Sequence, residues 1–127
     1  MPKFSQVSLT RLSKAHPELQ RLFNEAIKNA PVDFMITETL RTPARQAELK
    51  KAGASKTTNS RHLTGHAVDV ACLIGGKVEW AWPLYEELAA HIKVTAKKLG
   101  IDITWGGDWK TLRDGPHYEL TWARYPK

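Results

Sequence analysis

One cysteine, Cys72, is present among 127 residues, so an internal disulfide is impossible. No Cys or His stands at zinc-finger spacing from it, which removes thiolate metal clusters as well. Long apolar runs are also missing. Stretches such as Val70-Ala71-Cys72-Leu73-Ile74 are far too short for a bilayer-spanning helix, so no stable membrane insertion is expected. The opening residues, Met1-Pro2-Lys3-Phe4-Ser5-Gln6-Val7-Ser8, lack the apolar segment of a signal peptide, and synthesis in a cytoplasm is the expectation. Runs of basic charge are absent too. Lysine and arginine total 19 against 13 acids, a net charge of +6 that attracts polyanions at long range. Yet Lys50-Lys51 and Lys97-Lys98 are the only adjacent basic pairs, which argues against a nucleic-acid groove.

What is present is enough for one core. A chain this long with 42% hydrophobic residues buries roughly two-thirds of its unfolded surface, and a single domain over 1–127 is expected. After Pro17, apolar residues at 19, 22, 23, 26, 27 and 30 mark one face of a helix that Pro31 ends, with a turn or two of helix before it between Ser8 and Ala15. Phe34 to Thr39 has the β-branched character of a strand. Thr42-Pro43 caps a short helix over 44–52 that stops at Gly53, and 54–61 reads as a polar loop. Ala67 to Ile74 is a strand, Gly75-Gly76 a turn into Lys77-Trp80, and Pro83 opens the longest helix, closed by Gly100. Two further strands follow, Ile101 to Trp105 and His117 to Thr121. The fold class is α+β, a small mostly antiparallel sheet flanked by helices.

The chemistry concentrates between Ser60 and Val70 and again near His117. In a strand starting at Ala67, Asp69 shares a face with Ala67 and Ala71, while Val68, Val70 and Cys72 face a core. The last strand puts His117 and Glu119 on one face and Tyr118 and Leu120 on the other. If these strands are neighbours, His62, Asp69 and His117 converge, and two imidazoles with one carboxylate suit a catalytic zinc that keeps a position for water. Singly each has an ordinary reading: a loop histidine, a capping aspartate, an edge-strand histidine.

Ser60-x-His62-x-x-Gly65-x-Ala67-x-Asp69 resembles the first metal motif of the zinc D-alanyl-D-alanine metallopeptidases, and Asp114-x-x-His117-x-Glu119 resembles their second. That superfamily includes lysostaphin-like peptidases and the hedgehog domain. The similarity is greatest to the small phage endolysins that cut the L-alanyl-D-glutamate bond of peptidoglycan, supported by Leu40-Arg41-Thr42 with Gln46 and by Gly106-Gly107-Asp108-Trp109. It implies a hedgehog-like fold, one zinc ion on His62, Asp69 and His117, and Asp114 as the catalytic acid/base. Glu stands at that position in many carboxypeptidase relatives and Asp in the endolysin branch. The resemblance also implies that Arg41 binds a substrate carboxylate or the oxyanion, where an ordinary surface salt bridge is the alternative. Ser60 and Glu119 are read as groups that orient the ligands.

The implied partner is bacterial peptidoglycan, reached from the host cytoplasm by a holin-type route, by a monomer with no separate wall-binding domain. Within the peptidase class the alternative is a D-alanyl-D-alanine carboxypeptidase or dipeptidase, and outside it a silent zinc-containing binding module. His66 is read as a spectator or as a help in binding acidic substrate, Asp108 as structural and Cys72 as a buried thiol, while Trp105 and Trp109 divide between core and peptide groove.

Overall fold

The computed structural model describes residues 3–53, 61–109, 113–121 and 124–125. Helix α1 covers Gln6–Leu12 and α2 covers Pro17–Ala26, the latter followed by a 3-10 turn over Ile27–Asn29. Strand β1 is Asp33–Glu38, α3 is Pro43–Lys51, and β2 is Ala67–Ile74 after a 3-10 turn at Arg61–Thr64. A hairpin leads to β3, Lys77–Glu79, then come α4, Trp82–Leu99, β4, Ile103–Trp105, a 3-10 turn at Gly106–Asp108, and β5, His117–Leu120. Among the described residues no helix is long and apolar enough to cross a membrane.

The sheet runs β1-β2-β5-β4, with β3 also on β2, and every pairing is antiparallel. Its α+β class is the one expected. Strand β2 is central: β1 covers one edge, and β5 and β3 share the other, β5 over Ala67–Asp69 and β3 over Cys72–Ile74. One sheet face is the core. Val68, Val70, Cys72, Tyr118 and Leu120 pack with Leu19, Leu22 and Phe23 of α2 and Leu88, Ile92 and Ala96 of α4. The opposite face carries Asp69, His117 and Glu119, as the two-residue period requires.

Element boundaries depart from expectation for local reasons. Strand β4 starts at Ile103 rather than Ile101, because the Ile101 N–H closes the end of α4 on the Ala96 carbonyl at 2.9 Å after left-handed Gly100. The α-helical part of α2 ends at Ala26, and the remaining turn to Asn29 tightens to 3-10 before Pro31. Strand β1 begins at Asp33 and bulges between Ile36 and Glu38, which turns the chain after Glu38 across the end of β2.

Candidate metal centre

Three elements bring the histidines and aspartate together. The β2–β5 register places Asp69 directly opposite His117, and the 3-10 turn before β2 folds His62 over them. One ligand atom from each of His62, Asp69 and His117 lies within 4.8 Å of the other two. His62 Nε2 stands 3.2 Å and His117 Nδ1 2.9 Å from the same Asp69 Oδ1. The rings lie edge to face, 5.2 Å apart. Both histidines are buried and Asp69 is partly open.

Hydrogen bonding on the far side of each ring decides what this cluster can hold. His62 Nδ1 lies 2.7 Å from the Thr39 carbonyl, which can only accept, so the ring hydrogen sits on Nδ1 and the Nε2 lone pair points at Asp69. His117 lies between two carboxylates, with Nε2 2.8 Å from Glu119 Oε1 and Nδ1 at Asp69. A neutral imidazole can donate to only one of them. Lone pairs and a carboxylate thus converge where only a cation, a proton or a metal ion, satisfies all of them. Two imidazoles and a carboxylate, each histidine oriented from behind by a carbonyl or carboxylate, form the donor set that divalent zinc takes.

The electrostatics follow. Burial acts against the Asp69 carboxylate, but the hydrogen bond from His117 and the pull of both imidazoles outweigh it and hold its carboxyl well below the usual range. Burial also disfavours a charged His117, yet Asp69 and Glu119 together push it up to about 9. Asp114 is raised, first by burial and then by the Asp69 charge, against the pull of His117, His62 and Arg41. Its backbone is set by a tight turn: Asp114 N–H donates to the Gly106 carbonyl at 3.0 Å, and the Asp114 carbonyl accepts from His117 N–H at 3.2 Å.

A family model described as phage L-alanyl-D-glutamate peptidase matches residues 1–121. The chain belongs to the phage L-alanyl-D-glutamate peptidase family. It is 33% identical over 116 residues to the L-alanyl-D-glutamate peptidase of Escherichia phage T5, covering 88% of this chain and 85% of that protein. It is 35% identical over 94 residues to the enzyme of the same name from Listeria phage A118, of which it spans 32%, and 74% of this chain is matched. The crystal structure of the L-Ala D-Glu endopeptidase ChiX of Serratia marcescens superposes with a TM-score of 0.93 at 43% identity, over 99% of this chain and 96% of that one.

Within this family member the remaining residues fall into place around the triad. Arg41 is not an exposed salt bridge: its side chain is 8% exposed and carries Glu38 on two nitrogens, Nε to Oε1 at 2.7 Å and Nη2 to Oε2 at 2.8 Å. Nη1 donates to Oε1 of buried Gln46 at 2.6 Å, and Arg41 N–H donates to the His62 carbonyl at 2.8 Å. Ser60, expected to orient a ligand, lies outside the described residues. Trp105 is buried in the core and ties the Gly115 carbonyl by Nε1 at 2.7 Å, whereas the half-buried Trp109 ring lies 5.1 Å from the His117 ring. His66 contacts Thr64 and His16 rather than the triad, and Asp108 pairs with Lys93 at 2.6 Å.

Sequence reading missed two contributors, Glu38 and Thr39. The three-residue interval from Glu38 to Arg41 carries no meaning across a strand end, so nothing local marked the pair. A buried guanidinium does need a carboxylate, and that rule was the available clue.

Proposed function

We propose that this chain is a zinc-dependent peptidoglycan hydrolase that cuts the L-alanyl-D-glutamate bond of stem peptides. The observation that carries the reading is the convergence of His62 Nε2, His117 Nδ1 and Asp69 Oδ1 on one cation position. When bound there, zinc supplies Lewis acidity and an acidified water, the chemistry that amide hydrolysis needs. His62, Asp69 and His117 hold the ion, and Thr39 and Glu119 fix the two rings. Asp114 takes the proton of the attacking water on its carboxylate and returns it to the leaving amine. Arg41 donates to the substrate carboxylate or to the developing oxyanion. The wall is the partner, and the net charge of +6 favours approach to an anionic envelope. In this reading one domain acts as a monomer, made in the host cytoplasm and admitted to the wall by a holin-type route.

The test is mass spectrometry of fragments released from purified Gram-negative-type peptidoglycan by zinc-loaded protein and by a chelator-treated control. New L-alanine C-termini paired with D-glutamate N-termini, lost on chelation and restored by zinc, are expected. Release of terminal D-alanine alone would replace the reading with a carboxypeptidase. Zinc uptake without any cleavage would replace it with a binding module.

A further inference from the structure

Glu38 has no place in the ligand set, yet it stands against the set on two sides. It faces Asp69 across the β1–β2 pairing, just past the bulge, and it grips Arg41 through both carboxylate oxygens. The Arg41 hydrogen bond holds the Glu38 carboxyl below its usual range, and the carboxylates around Arg41, Glu38 first among them, together outweigh the burial that would otherwise disfavour its cation. Arg41 also feels the negative charges of Asp69 and Asp114. Three carboxylates therefore compete for one buried guanidinium. Gln46 orients the guanidinium but, being neutral, balances none of its charge.

We infer that Glu38 is a positioning residue that holds Arg41 off the Asp69 carboxylate and aims it across the site. With Glu38 engaged, three of the five Arg41 side-chain N–H groups are used, on Nε, Nη1 and Nη2, and one remains on each Nη. Those two groups suit a substrate carbonyl or carboxylate. Without the Glu38 charge, Asp69, which faces Glu38 across the β1–β2 pairing and whose charge Arg41 feels, is left as a carboxylate partner, and a guanidinium pair on Asp69 occupies an oxygen that the metal ion needs. Glu38 thereby protects metal binding and presents Arg41 at once. The inference rests on the zinc peptidase reading.

The experiment measures zinc affinity by chelator competition, together with kcat and KM on purified muropeptide, for wild type, Glu38→Gln, Arg41→Gln and the double variant. Loss of the Glu38 charge is expected to weaken zinc about tenfold, the scale of other groups that act behind metal ligands, with a comparable fall in kcat. Removing Arg41 as well should restore wild-type zinc affinity while activity stays low, a rescue that a merely structural role for Glu38 does not produce. Glu38→Asp, which keeps the charge but shortens the reach, should bind zinc as wild type does with lowered kcat, and it carries the test if Glu38→Gln does not fold. Wild-type zinc affinity in Glu38→Gln overturns the inference, as does a double variant as weak as Glu38→Gln or an Asp variant that loses zinc. Failure of the wild-type chain to bind zinc or cleave strikes the proposed function itself, so the two failures are told apart.

Discussion

Burial raises the pKa of both Asp114 and Cys72, but only Asp114 stands beside the ligand triad. Asp114 sits in the turn before β5, within the field of Asp69, His62, His117 and Arg41, but outside the ligand triad. Asp114→Ala is therefore expected to retain one zinc by elemental analysis while hydrolysis falls by about 10²–10⁴, the usual worth of a positioned acid/base. Loss of zinc together with activity would place Asp114 among the ligands instead. Cys72 lies on the core face of β2, fully buried, and burial pushes its thiol up to about 11. At pH 8 the reactive thiolate is then scarce as well as inaccessible. The native protein should resist a thiol reagent that labels it one-to-one after denaturation. Rapid native labelling would show that β2 opens.

At the scale of elements, the site depends on where strands stop and how they are braced. Helix α1 supports the end of β1: buried Ser8 Oγ accepts from the Ile36 N–H at 3.0 Å, and Thr39 Oγ1 donates to the Arg11 carbonyl at 2.5 Å, directly beside the carbonyl that orients His62. Ser8→Ala leaves the Ile36 N–H buried without its acceptor, so unfolding in urea should show a loss of about 1–3 kcal/mol. An unchanged midpoint would mean that the brace is dispensable. Gly106, just after β4, is packed tightly against Asp114 and His117. A Cβ on Gly106 would meet the Asp114 carbonyl and approach both the Asp114 and His117 Cβ atoms to 3.1 Å. Gly106→Ala must therefore displace the turn that carries Asp114. A drop in kcat larger than about tenfold is expected, since misplacement by an ångström can cost a hundredfold. Full activity would show that the turn yields.

For the whole molecule, charge and architecture act on separate steps. Helices α2 and α4 cover one sheet face, which leaves the other for Asp69, His117 and Glu119. In the proposed reading the net charge of +6 serves approach to an anionic wall, and salt screens that attraction over about 8 Å at physiological ionic strength. Cleavage of intact sacculi should accordingly slow as salt rises, while the rate on a short soluble muropeptide changes much less. Equal salt sensitivity on both substrates would place the effect in the active site rather than in approach.

Residue types and periods in the sequence determined the α+β class, the cysteine-poor core and the alternation that sets Asp69, His117 and Glu119 opposite Val68, Val70, Tyr118 and Leu120, because a strand's period of two is a local property. The two separated motifs, through the family resemblance they carry, also named His62, Asp69 and His117, which the fold brings together. Register and approach were decided only by the fold. That β2 pairs with β5 so that Asp69 meets His117, that the bulge after Ile36 carries Thr39 to His62, and that Glu38 closes on Arg41 all depend on contacts between distant segments. The ring tautomers belong partly to the same class. Each is set by the group behind the ring: Glu119, two residues from His117, is legible in the strand's alternation, whereas Thr39, 23 residues from His62, is not marked by spacing. Local sequence specifies which face a side chain occupies, and only tertiary packing specifies what it meets there.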